Sequence, residues 1–524
     1  MALTKVSYAM IDGAYANVLD YGAIGDGVAD DTAAIQAAVN ASKSVYFPVG
    51  KYRLTSSITL QSNQILLGAG PSPWAPYETP PQNFAPGFMT EILVTNFTAF
   101  NMSNVNNSEV NGFSFKSTLG QTSFYGQPGN YAVGSIGING TRMQSCRIRN
   151  VSFFGLEYGL AVNPTGTLNG GGQWTLEYWL AWDCKSCVRV GAPTGTPYAS
   201  QDIQINNCII ADHSNYLIEV HNCDGVRIED CRLFKCYKNN IYLRASPFVT
   251  LAGVTCFEST EDNMQIVDCQ YVTGSALHFV RAGGYSTTTP YLPRRGIYLS
   301  GSYNVALQGV VERSGGPAVV MSNCYAVTLN LSILQPFYTS AMLSPDGTNG
   351  AIDISSSSEI ALNCSVNMLS NNDIYSVTSD FASYDKTFGS VTSDTFANVG
   401  RPIFVSPSNY SYIYTLPTNT AINTASSSPI DVKRVWVPAG KKLVSRMMHM
   451  TSPNTTLRVS SLFWTTGLIV EADGGNTSFE KKTIFDNSAG SAQFYSIAFE
   501  IYNTSGGSIT VPAGHQVFVS LALE

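Results

Sequence analysis

From about Val133 to Tyr375 the chain is built of short runs in which apolar and polar residues alternate, the pattern of strands with one buried face. One family of runs centres on Ile138, Leu160, Val188, Ile218, Ile241, Met264, Ile297, Val319 and Ile352, in steps of 22, 28, 30, 23, 23, 33, 22 and 33 residues. A second family follows the first about ten residues later: CRIRNVSF around Ile148, IQINNCII around Ile205, VRIEDCRL around Ile228, VTLAGVTC around Leu251, VALQGVV around Leu307, VTLNLSI around Leu329 and IALNCSV around Leu362. The shared period, a basal coil of 22 or 23 residues with occasional insertions of about ten, predicts an all-β parallel solenoid. Its coils should stack at roughly 4.8 Å. Cysteine, serine and asparagine recur at equivalent turns, as in Cys208 and Cys231, or Cys223 and Cys269 with Ser246 between. A leucine-rich repeat fits poorly, because neither the leucine spacing nor the period matches.

The chain differs at both ends. The stretch VLDYGAIGDGVADDTAAIQAAVNASKSVYFPVGKYRL predicts a strand over Val18–Tyr21 and a glycine turn at Gly22, Gly25 and Gly27. A helix should follow, capped by Asp30 or Asp31, with Ala34, Ile35, Ala38 and Val39 on one face, and then a second strand over Val45–Phe47. Its aspartates and glycines suggest a calcium loop or a phosphate cradle less well, since EF-hand spacing and the GxGxxG order are absent. Residues 68–131 read as early coils carrying a Pro-rich loop, PSPWAPYETPPQNFAPG. After Asp380 the period fades. From Pro402 to Glu524 short strands such as VWVPAG, LRVSSLFW, QFYSIAFEIYN and HQVFVSLALE suggest a β-sandwich, with the VPAG echo at Val437 and Val511 marking two similar edges.

Composition narrows the partners. Only 12% of the 524 residues are charged, and the net charge of -7 argues against nucleic acid, which needs a concentrated basic surface. No apolar run is long enough to span a bilayer, and MALTKVSYAM lacks the apolar core of a secretion signal, so synthesis and folding in a cytoplasm are expected. Eleven cysteines, an odd number placed inside repeat strands, suit buried thiols better than a disulfide framework. Cys184 and Cys187 form the only C-x-x-C, with no second pair at finger spacing, so no metal and no cofactor is expected.

The segment from Asn17 to about Leu54 resembles the N-terminal capping signature of the pectate-lyase-like β-helix superfamily, especially its phage tailspikes and capsule depolymerases. With the coil period and the C-terminal strands, the resemblance extends over most of the chain. It implies a right-handed parallel β-helix of three sheets with an N-terminal capping helix and a C-terminal β-sandwich, assembled as a homotrimer. Trimerisation would also bury the exposed face and open ends of a solenoid. The implied organisation is a short particle-attachment segment at 1–16, the capping helix and first coils at 17–132, the regular helix with a substrate groove at 133–395, and the sandwich at 396–524. The implied role is that of a virion protein, joined to a phage tail or baseplate adaptor, that grips and endo-cleaves a bacterial capsular or O-antigen polysaccharide. Tailspikes of this group usually carry a larger N-terminal domain, and almost nothing precedes Val18 here.

Strand alternation then selects candidate residues. With Ile218, Val220, Ile241, Leu243, Ile297 and Leu299 inside, one outward column is Arg189, Glu219, Tyr242, Gln265 and Tyr298, flanked by His221 and Arg244. The turns entering these strands bring Asp183, Asp212 and Glu258, Glu261, Asp262 to nearby positions. Glu219 and Asp262 lead as a catalytic pair: two coils apart, or about 9–10 Å, they would suit an inverting glycosidase. Solvated turn acids are the plain alternative for each. The stretch WTLEYWLAW holds three of the six tryptophans, and Trp174, Tyr178, Trp179 and Trp182 could stack on sugar rings or pack as core. Tyr242, His221, Arg189 and Arg244 also suit a lyase, neutralising a uronate and removing its neighbouring proton. A binding-only adhesin, a secreted pectinase and a serine hydrolase are the other readings; no G-x-S-x-G elbow supports the last.

Overall fold

A computed structural model of the chain describes residues 15–71, 89–118, 131–165, 171–193, 200–213, 215–284, 294–336 and 349–367, and beyond these the backbone of strands between 374 and 523. Side chains are described up to residue 366 within these spans, apart from 212, 213, 349 and 350. The attachment segment before Tyr15, the bulk of the Pro-rich loop and the VPAG turns therefore lie outside the described residues.

The described part is all-β and dominated by parallel pairing. Ile138 pairs laterally with Leu160, Leu160 with Val188, and so on through Ile218, Ile241, Met264, Ile297 and Val319 to Ile352. Each centre of the first apolar family is thus the neighbour of the next, and the coils stack in register. These strands form a twelve-stranded sheet running from Ile58–Thr59 to Ile374–Ser379. The second family lies in a 21-stranded sheet, where Ile148, Leu176, Ile205, Ile228 and Leu251 are successive partners.

Most coils also carry a third run, such as Arg232–Cys236 after Cys223–Glu229. Instead of forming a separate sheet, it is bonded into the same one, because long strands such as Ser200–His213 and Gln270–Ala282 pair with both shorter runs of a neighbouring coil. Single left-handed residues, Asn207 and Ala276, turn these strands without ending them.

The N-terminal segment departs from its expected form at one point. Val18–Tyr21 is a 3-10 turn, not a strand: the Asn17 side chain accepts from Leu19 N, and Gly22 closes the turn in the left-handed region at φ 98°. The helix Thr32–Ala41 follows, burying Ile35, Ala38 and Val39. Asp30 accepts from the Thr32 backbone N–H at 3.0 Å, while the buried Asp31 carboxylate turns back to Ile24 N at 2.6 Å and Gly25 N at 3.3 Å. Burial raises the Asp31 pKa, and those N–H donors oppose the shift.

Inside the first coils Phe47, Phe100, Phe113, Phe115 and Phe153 form a continuous ring cluster, with centroids 5.0–5.5 Å apart along the path. Further along, buried cysteines take up the small inward positions. All eleven are free and buried, and Cys231 Sγ donates to the Ile205 carbonyl one coil back. Burial pushes the Cys184 thiol up to about 12, as expected for an unreactive core group.

A second compact unit comprises residues 379–384 and 404–524. Its strands are antiparallel, in two four-stranded sheets and one two-stranded sheet.

The ring cluster yields a test. Phe113→Ala should cost roughly 3–5 kcal/mol through lost burial and an unfilled cavity, read as a lower denaturation midpoint. A change within experimental error would mean that these rings do not support one another.

Candidate functional site

The twelve-stranded sheet presents one outward row in which Ala161, Arg189, Glu219, Tyr242, Gln265, Tyr298, Val320 and Asp353 are successive lateral neighbours. His221 and Arg244 are partners in the row beside it. The alternation that buries Ile218 and Val220 thus places Glu219 and His221 on one face two residues apart.

Both are nevertheless buried, Glu219 at 4% exposure and His221 at 1%. Glu219 Oε1 lies 2.9 Å from His221 Nε2, and Oε2 lies 3.8 Å from Arg189 Nη1. Glu219 Oε2, His221 Nδ1 and Arg189 Nε have no hydrogen-bond partner. In the tautomer whose Nε2–H donates to the carboxylate, Nδ1 carries the ring's lone pair. Arg189 donates to Tyr158 Oη at 3.1 Å. Behind it, Lys185 and Glu157 pair at 2.8 Å. Burial would raise the Glu157 pKa, but Lys185 and the Gly134 N–H, at 2.7 Å, hold the carboxyl below the ordinary range.

Aromatic rings surround the buried acid. Tyr242 lies 5.4 Å from His221 and 5.2 Å from Tyr216, and the Lys238 ammonium sits 5.4 Å above the Tyr216 ring. Burial raises both phenol pKa values. The Glu219 charge adds to both shifts and Glu261 adds to that of Tyr216, whereas Arg244 opposes the shift of Tyr242. These phenols stay protonated at neutral pH and can donate hydrogen bonds.

The leading carboxylate pair is not assembled as expected. Asp262 is fully buried and its oxygens are occupied: Arg295 donates from N at 2.8 Å, Nε at 2.9 Å and Nη2 at 2.7 Å, and Gln265 donates from Nε2 at 2.8 Å. Four donors leave little capacity for proton transfer, so Asp262 holds Arg295, whose guanidinium lies 4.1 Å from the Tyr298 ring centroid. Glu258 is tied to Arg281 at 2.7 Å on a strand of the larger sheet. Asp183 is half-buried at a left-handed turn and already engaged, and the Asp212 side chain lies outside the described residues. Glu261 is half-buried in the turn entering Met264–Val267 and, like Glu219, lies within electrostatic reach of Tyr216.

The tryptophan stretch is core. Leu176 pairs with Ile148 and Ile205, making WTLEYWLAW the second-family strand of its own coil. Trp174, Trp179 and Trp182 are 0%, 1% and 6% exposed, and only Tyr178, at 59%, faces solvent. Tyr216, Lys238 and Arg295 went unrecognised because they sit in turns where alternation carries no signal, and Tyr158 because it shares the inward register of Leu156 and Leu160 within its strand. Among the described residues no group of three or more His, Cys, Asp or Glu is placed to hold a metal ion, and no helix is long and apolar enough to cross a membrane.

Residues 15–239 match the family model described as rhamnogalacturonase A/epimerase, pectate lyase-like, and the parallel stacked coils agree with that likeness. The chain's homologues include phage appendage proteins. The pre-neck appendage protein of Bacillus phage phi29 is 30% identical over 242 residues, covering 41% of this chain and 24% of that protein. Mannuronan C5-epimerase AlgE5 of Azotobacter vinelandii is 47% identical over 66 residues, 10% of this chain and 7% of the epimerase. The chain therefore spans a quarter or less of these relatives' length. The crystal structure of pre-mature bacteriophage phi29 gene product 12 shares the fold, with a TM-score of 0.51 at 15% identity, covering 69% of this chain and 54% of that one.

Two substitutions separate support from chemistry. Asp262→Asn, which leaves Arg295 short of its buried partner, should cost about 3–5 kcal/mol, and Trp179→Ala about 3–5 kcal/mol, both read as lowered denaturation midpoints. Weakened glycan binding by a stably folded Trp179→Ala protein would contradict the core assignment.

Proposed function

We propose that this chain is a phage tailspike that binds and endo-cleaves a bacterial capsular or O-antigen polysaccharide by glycoside hydrolysis. The observation that carries this reading is Glu219: buried, hydrogen-bonded to His221, and left with one carboxylate oxygen lacking a hydrogen-bond partner. Glu219 would protonate the glycosidic oxygen and Glu261 would activate water from the other face of the sugar. Tyr216 and Tyr242 would offer ring faces, and Arg189, Arg244 and Tyr298 would read hydroxyl or acidic substituents. The phage homologues support a place in the virion, bound to a tail or baseplate adaptor. A right-handed β-helix, with the third run of each coil merged into the larger sheet and not in the separate third sheet expected, a C-terminal sandwich and a homotrimer complete the reading.

One contact favours a second chemistry. The open Nδ1 of His221 beside a protonated Tyr242 suits β-elimination at a uronate, with His221 taking the proton, Tyr242 protonating the leaving oxygen and Arg189 neutralising the carboxylate.

Purified protein should shorten one of a panel of capsular and O-chain polysaccharides. New reducing ends without the ultraviolet absorbance of an unsaturated uronate mean hydrolysis; the same shortening with that absorbance means elimination. Glu219→Gln should lower the rate about a hundred- to ten-thousand-fold with little loss of binding. Binding with no shortening of any polymer would leave an adhesin and overturn the proposal.

A further inference from the structure

The larger sheet carries an exposed aromatic ladder that the Glu219 face does not use. Phe248 and Tyr271, 58% and 48% exposed, stack with centroids 5.1 Å apart and planes within 7°. Tyr303 meets Tyr271 edge-on at 6.1 Å, and Tyr325, 46% exposed, continues the row one coil further. The register is set by Pro247, Gln270, Tyr303 and Tyr325, which are successive partners; Phe248 and Tyr271 stand one residue on, in the left-handed region at φ 56° and 51°.

The ladder stops abruptly at its other end. Val226 pairs with Val249 and Ile203, so Gly225 and then Asp202 occupy the rung of Phe248 in the two preceding coils. Gly225 has φ +77°, and a Cβ there would lie 2.8 Å from Asp202 Oδ1. The Asp202 carboxylate sits over Gly225, and a notch of about 230 Å³ lined by both residues and by Phe248 lies beside it. Gln204, Arg227 and Thr250, successive partners on the adjacent rung, line its flank. Tyr271 stacks on one face of the Phe248 ring, and Phe248 lines the notch.

We propose that this notch is a carbohydrate subsite separate from the Glu219 face, holding one sugar ring of a polymer against Phe248 while Asp202, Arg227 and Gln204 bond its hydroxyls. The inference rests on the polysaccharide reading of the chain. The chemistry favours a sugar because the notch pairs one flat apolar face with several polar groups, matching a ring that is apolar on its faces and hydroxylated at its rim. Packing against an apolar protein surface would instead strip water from the exposed Asp202 and Arg227 without replacing their hydrogen bonds.

The test uses the full chain carrying Glu219→Gln, so that polymer is retained and not consumed, on an array of immobilised capsular polysaccharides, O-chains and alginate. Adding Phe248→Ala or Arg227→Ala should weaken retention about tenfold, and Phe248→Tyr should preserve it. In the active background the same substitutions should leave the cleavage rate on short fragments unchanged. Unaltered retention in both variants overturns the subsite while the proposed function stands. A change in oligomer size by light scattering on Phe248→Ala overturns it in favour of a contact between copies. No retention on any polymer also overturns it; shortening by the unsubstituted protein then decides independently whether the proposed function survives.

Discussion

Everything in the larger unit depends on parallel backbone pairing between consecutive coils. Because each strand bonds to its counterpart one coil away, a residue's lateral neighbours are 21–44 positions distant in sequence, from Ser44 and Ile65 to Ile65 and Glu109. Side chains of one type therefore collect into columns. The column principle builds the phenylalanine cluster and the cysteine positions inside, and the Arg189–Glu219–Tyr242 row outside. The longer coils place most of their extra residues in the connections, as between Ala282 and Ile297, while register shifts such as that between Gly274 and Leu277 fall within strands.

A column of outward residues would ordinarily be solvated. The row through Glu219 is unusual because its central acid is withdrawn from water while its oxygens are only partly satisfied. Such an arrangement is costly for stability alone, since a buried carboxylate needs compensating donors. Asp262 shows what full compensation looks like in the same protein, with four hydrogen bonds. The two buried acids thus differ in how fully their oxygens are satisfied, which is the observation on which the proposed role of Glu219 rests.

The legible part of the sequence was whatever repeated. All nine centres of the first apolar family pair as read, and the outward row followed from alternation alone. The second family was read without two of its members. Leu176 was hidden by the tryptophans around it, and Gly274 occupies a rung where Leu251 and Leu307 put leucines. A Cβ at Gly274 would meet both Leu277 and Leu307 at 2.7 Å, so neighbouring leucines already fill that space. The partners of the candidate acids were not legible, because pattern gives the side of a strand and not the partner: the Asp262–Arg295 pair joins turns 33 residues apart. The Val18–Tyr21 turn was missed because so short a run as VLDY looks the same in a strand and in a 3-10 turn; the Asn17 cap and Gly22 decide it.

The buried cysteines have a consequence for how this molecule comes apart. They are spread from Cys146 to Cys364, so nearly every coil of that span carries its own concealed sulfhydryl. In a stacked architecture, where each repeat leans only on its neighbours, fraying from one end would release them in spatial order. An alkylating reagent followed by mass mapping would then turn the set into a built-in tape measure, recording how far the unwinding front has travelled at each moment.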